Sequence, residues 1–138
     1  MINKKRLINL TQQLIRINSQ NPPGDESKIA RFVKNYLNAL GIKPKIYEFK
    51  KRRANVIGAL KGANRKFSLL VTPHLDTVPA GKSWKMDPFA ATIKNNKLYG
   101  LGATDCKGNL ACALEAMNSI LENKISLNYD LIFAATAD

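Results

Sequence analysis

The stretch Phe67-Ser68-Leu69-Leu70-Val71-Thr72-Pro73-His74-Leu75-Asp76-Thr77 decides how this chain is read. Phe67 to Thr72 is short and apolar, the pattern of a buried strand in a layered sheet. His74 is the only histidine, and it falls where that strand gives way to a loop. In α/β sheets ligands gather beyond the carboxyl ends of strands. His74 and Asp76 are two apart, so in extended backbone their side chains point to the same side. A carboxylate there can accept the imidazole N–H that a metal does not use, fixing the tautomer and strengthening the ligand. Taken alone, the same residues also describe a satisfied histidine capping a strand, since one ligand does not make a zinc site.

Outward from this stretch, helices alternate with strands. Leu7, Leu10, Leu14 and Ile17 recur at helical spacing over residues 3–17, and Asn3 is suited to cap that helix. Pro22-Pro23-Gly24 breaks the chain after it. A second helix is expected from Asp25 to Leu40, with Ile29, Phe32, Val33, Tyr36, Leu37 and Leu40 inward. Gly41 is then a natural residue just past its end. Lys45–Phe49 alternates as a strand does, and Ala54–Leu60 is apolar. Ala91–Lys94 and Lys97–Gly100 can pair across Asn95-Asn96, because asparagine tolerates the positive φ of a tight hairpin. Asn109–Leu121 reads as a helix with Leu110, Ala113, Leu114, Met117, Ile120 and Leu121 toward the core, and Leu131–Ala137 as a last strand. The expected fold is α/β, a layered sheet flanked by helices.

The second chemical motif is Gly100-Leu101-Gly102-Ala103-Thr104-Asp105-Cys106-Lys107-Gly108, leading into a helix. It lacks the spacing of a phosphate loop. A carboxylate in a glycine-tight turn suits a cation, and its two oxygens can bridge two metals. Asp105 can equally cap the helix that follows. Both readings stand on these residues alone.

Composition narrows the class. Of the 138 residues 45% are hydrophobic, enough for a packed core. There is no run of about 18 apolar residues to span a membrane and no signal-like apolar stretch after the basic N-terminus, so a soluble cytoplasmic protein is expected. Two cysteines, Cys106 and Cys112, make no disulfide framework. The +12 charge is confined to the first half: residues 1–66 carry 16 Lys/Arg against 3 Asp/Glu, a net +13, and residues 67–138 carry 6 against 7, a net −1. Lys50-Lys51-Arg52-Arg53 is the densest run, with only Phe49 beside it for stacking. It is read as a solvated loop rather than a nucleic-acid site.

Together the motifs resemble the zinc-dependent metallopeptidase and deacylase family of acetylornithine deacetylase, succinyl-diaminopimelate desuccinylase, aminoacylase and glutamate carboxypeptidase. The resemblance runs along nearly the whole chain, through Asn18–Gly24, His74–Pro79, Trp84–Phe89 and Leu98–Gly108. It implies the amino-terminal part of a zinc-exopeptidase-like catalytic domain over residues 1–138, ending before the remaining ligands and without the lid and dimerisation domain. By that resemblance His74 is a ligand of one metal, Asp105 bridges two, and Asp76 is the catalytic carboxylate that supports His74. It also implies a cis peptide bond after Asp105. The complete site would take two Zn²⁺, with Co²⁺ as a substitute, and a Glu-Glu pair beyond Asp138 would supply the general base and a further ligand. Leu101 stands where many members have arginine, and Cys106 where many have methionine. By composition alone Cys106 could be a thiol ligand, whereas the resemblance makes it a neighbour.

The activity so implied is hydrolysis of the amide of an N-acyl amino acid or short peptide, by a protein that is a homodimer at full length; the chain alone is expected to be inactive. A metallo-carboxypeptidase or dipeptidase is the alternative within the family. Outside it stand a basic module binding nucleic acid or an acidic partner, and a scaffold that has lost catalysis.

Overall fold

A computed structural model describes residues 1–137, the side chain of Arg65 apart. Helix α1 (Lys4–Arg16) begins where expected: the Asn3 carboxamide accepts from the Arg6 N–H at 3.0 Å, satisfying one orphan donor of the first turn. Helix α2 (Ser27–Ala39) stops at Gly41, whose φ of +79° suits a residue without Cβ. The Gly41 N–H donates to the Asn38 carbonyl and the Ile42 N–H to that of Leu37, the paired bonds of a Schellman ending. Strands β1 (Lys45–Lys50), β2 (Arg53–Leu60) and β3 (Asn64–Val71) follow. A small hairpin pairs β4 (Thr92–Lys94) with β5 (Lys97–Tyr99), and Asn95 and Asn96 both take positive φ. Helix α3 (Lys107–Glu122) then leads to β6 (Tyr129–Ala135).

Four strands form one mixed sheet in the order β1-β2-β6-β3. The last strand enters between β2, which it meets antiparallel, and β3, which it meets parallel. Ala54, Val56, Phe133 and Ala135 from the sheet share a core with Leu10 and Leu14 of α1, Val33 and Leu37 of α2, and Leu110, Leu114 and Met117 of α3. Each of the larger side chains, fully buried, contributes roughly 1.5–3 kcal/mol of apolar transfer, the alanines less.

Two expectations about burial are corrected. β3 is not a buried strand: Phe67, Leu69 and Leu70 are each more than half exposed. The apolar run is real, but β3 lies at the sheet edge, where none of the described elements pairs with its outer side. Leu121 is also exposed, because α3 turns it past the end of the core. Helix α3 starts two residues earlier than its apolar pattern, at Lys107, which is itself fully buried.

Two buried carboxylates brace the helices. Glu115 of α3 accepts from Arg6 Nε at 2.6 Å and Nη2 at 2.9 Å, and from the Asn3 N–H at 2.7 Å. Glu26, ahead of α2, takes both Nε and Nη2 of Arg53. Arg53 thus turns inward from the basic run, and Arg52 lies 3.7 Å from Asp25. No helix among the described residues is long and apolar enough to cross a membrane.

Candidate metal centre

His74 sits on backbone fixed from two sides. Beyond β3 the chain keeps contact with the end of β6: the Leu75 N–H donates to the Thr136 carbonyl at 2.7 Å and the Thr136 N–H to that of Pro73 at 3.1 Å. On the other side the Thr77 N–H meets the Ser19 carbonyl, and the Asn21 N–H the Thr77 carbonyl, so the loop after α1 adds a short parallel bridge. The buried Ser19 hydroxyl donates to the Leu75 carbonyl. The chain bends at Leu75, and His74 and Asp76 still come to one side, their side chains in contact.

The imidazole is held at both nitrogens. Nδ1 lies 3.0 Å from Asp76 Oδ1 and 3.1 Å from the Asp76 carbonyl, and Nε2 lies 2.8 Å from Asp105 Oδ1. Asp76 is nearly buried, and its second oxygen accepts from the Asn21 carboxamide at 3.4 Å. The Asp105 side chain is 87% exposed. Burial works to lower the His74 pKa, but the hydrogen bonds to Asp105 and Asp76 outweigh it, and the pKa is raised.

Asp105 comes from a loop that Gly102 allows to turn, with φ +76°. The Lys107 N–H closes this loop on the Gly102 carbonyl, and the Lys107 ammonium donates to the Ile17 carbonyl at 2.6 Å. That ammonium is fully buried, and burial lowers its pKa to about 8. The Asp105–Cys106 peptide bond is cis. The position ahead of α3 is Cys106, with no side-chain capping bond, and the Asp105 carboxylate goes to His74 instead. The helix-cap reading of Asp105 is thereby replaced.

Cys106 ties the two loops together. The His74 N–H donates to its Sγ at 3.2 Å, and its thiol faces the His74 carbonyl at 3.4 Å. Burial pushes the thiol pKa up, so it stays protonated and occupied with backbone. His74, Asp105 and Cys106 nonetheless bring their donor atoms within 4.8 Å of one another, a set that a metal ion could join. With Nδ1 anchored on Asp76, the imidazole offers Nε2 toward a carboxylate that faces solvent, a nitrogen–oxygen donor set that suits zinc.

These side chains open onto a cleft of about 440 Å³ that Val78, Trp84 and Tyr99 also line. Sequence reasoning chose His74, Asp76 and Asp105, and the structure brings all three together. It missed the roles of Asn21 and Lys107. Asn21 lay in a segment read as a helix breaker and as one block of the family resemblance, with no role given to its side chain, and nothing local marks a lysine as buried.

Comparison with known proteins places the geometry. Residues 70–138 match the model of peptidase family M20/M25/M40. The chain is 37% identical over 134 residues to N-formyl-4-amino-5-aminomethyl-2-methylpyrimidine deformylase of Bacillus subtilis, covering 94% of this chain and 32% of that protein. It is 34% identical over 142 residues to succinyl-diaminopimelate desuccinylase of Orientia tsutsugamushi, covering 100% of this chain and 36% of that protein. Among solved structures, an M20 family metallo-carboxypeptidase from Sulfolobus solfataricus superposes with a TM-score of 0.84 at 27% identity, covering 95% of this chain and 30% of its own. The chain thus spans about a third of the length of the relatives it matches.

Proposed function

Since the chain belongs to peptidase family M20/M25/M40, we propose that it forms part of the active site of a metal-dependent hydrolase that cleaves a small acyl group from an amide nitrogen. The observation that carries this reading is the approach of His74 Nε2 to Asp105 Oδ1 at 2.8 Å, with Nδ1 anchored on Asp76. His74 would hold one divalent cation, and Asp105, exposed and with two oxygens, would bridge it to a second. Zinc is the cation the donors favour, and cobalt is its spectroscopic substitute. Such a cation supplies Lewis acidity that polarises the amide carbonyl.

The chain's own residues do the positioning. Asp76 keeps the Nδ1 proton of His74 in place and so presents Nε2 as the donor. Asn21 in turn holds the other oxygen of Asp76. The reciprocal contact between Cys106 and the His74 backbone sets the spacing of the two loops. In this proposal the general base and remaining ligands come from protein beyond Asp138. One relative is named as a deformylase and another as a desuccinylase; both remove an acyl group from nitrogen, which favours an N-acyl amine or amino acid over a peptide as substrate.

Calorimetric titration of the chain with zinc tests the ligand assignment. Binding is expected near neutral pH, abolished in His74→Ala and in Asp105→Ala and kept in Cys112→Ser, which removes the exposed thiol. Zinc binding unchanged in His74→Ala would sink the assignment. Turnover of N-formyl, N-acetyl and N-succinyl amines, assayed on protein extending past Asp138, tests the activity.

A further inference from the structure

Two aromatic residues near the metal centre have no part in the core. Trp84 and Tyr99 are 37% and 36% exposed, and neither makes a ring–ring contact among the described residues. Tyr99 ends β5, while Trp84 lies in the loop ahead of the hairpin. Both line the 440 Å³ cleft that holds His74, Asp76 and Asp105. Both also line a second cleft of about 240 Å³, together with Lys85 and Met86. The two rings therefore stand where the clefts adjoin.

Aromatic side chains about a third open beside a polar site offer ring surface to a ligand. Rings gain from offset or edge-on contact with another ring, and Met86 adds an adaptable, polarisable thioether of the kind that packs on ring edges. Lys85 contributes a positive charge to the second cleft, which disfavours a cationic occupant. We propose that Trp84 and Tyr99 form a specificity subsite that takes a flat aromatic or heteroaromatic ring, neutral or anionic, attached to the amide presented to His74 and Asp105. That this ring belongs to the substrate rests on the hydrolase reading above; that the subsite binds a ring does not.

Trp84 is the only tryptophan in the chain, so its emission reports on this subsite directly. The chain is titrated with N-formylbenzylamine and, in parallel, with N-formylbutylamine, which carries the same amide without a ring. The ring amide is expected to change the emission saturably, with half-saturation roughly fivefold lower than for the aliphatic amide. Tyr99→Ala is expected to remove this preference and Tyr99→Phe to keep it. The preference is expected to persist on the chain stripped of metal by a chelator, which separates failure of the subsite from failure of the metal assignment. Equal half-saturation for the two amides, or quenching linear in concentration for both, overturns the proposal. The comparison on the unsubstituted chain decides the matter even if Tyr99→Ala does not fold.

Discussion

Replacing Gly102 by alanine probes how tightly the metal loop is built. Gly102 holds φ at +76°, and an added Cβ would stand 2.6 Å from Thr77 Cγ2 and 3.3 Å from the Asp105 carbonyl oxygen. The left-handed conformation costs alanine about 1 kcal/mol. The clash adds about 1–3 kcal/mol, the usual range for overpacking, because Thr77 is buried and its β-branched methyl has little freedom to swing away. A loss of about 2–4 kcal/mol is expected, read as a lower urea midpoint at constant slope. Thr77→Ser deletes the methyl that clashes. Introduced into the Thr77→Ser background, Gly102→Ala should then cost clearly less, about 1–2 kcal/mol, the conformational part plus the close approaches to the Asp105 carbonyl oxygen and Lys107 Cδ that remain. If the substitution costs the same in both backgrounds, the packing argument is wrong. If it costs under about 0.5 kcal/mol in the unmodified chain, the conformational argument fails too.

Other outcomes follow from the same geometry. Burial favours the neutral form of Glu115, but the Arg6 hydrogen bonds prevail and hold its pKa below 4.5; its contribution is therefore complete above about pH 4.5 and lost as the pH falls through the folded value. Acid unfolding curves should show that loss, and Glu115→Gln should flatten it while costing about 3 kcal/mol at neutral pH, the low end for a broken buried pair because Arg6 is partly exposed. Leu114→Ala opens a cavity at a fully buried position and should cost about 2–5 kcal/mol in chemical denaturation. Zinc at about a hundred times its dissociation constant should stabilise the chain by about 2.7 kcal/mol, an effect that a chelator reverses and His74→Ala abolishes; a midpoint unmoved by zinc counts against the site.

What could be read from the sequence was local. Asn3, Gly41 and the Asn95-Asn96 pair announced their caps and turn because each meets a backbone need at its own position. The side-by-side placement of His74 and Asp76 was expected from a two-residue spacing and is found across a bend at Leu75. The ion pairs of Glu115 with Arg6 and Glu26 with Arg53 were hidden, since the partners are 109 and 27 residues apart and a charge carries no mark of its distant mate. The exposure of β3 was equally hidden: an apolar strand reads the same whether its neighbour is present or not. Asp105 approaches His74 across 31 residues of chain, and only the resemblance to a known family anticipated that meeting.

The open side of β3 also bears on how any longer protein built on this chain is made. The ribosome adds roughly 5–20 residues per second, so each further hundred residues takes about 5–20 s. During that interval the segment described here can fold while Phe67, Leu69 and Leu70 stay in water beside a row of unpaired backbone groups, a template for stray strands. Opposite it, β1 exposes Tyr47 and Phe49 but intersperses them with Lys45, Glu48 and Lys50, charges that discourage such pairing. The stretch Phe67–Val71 of β3 carries no charge, so it is the margin that needs covering first.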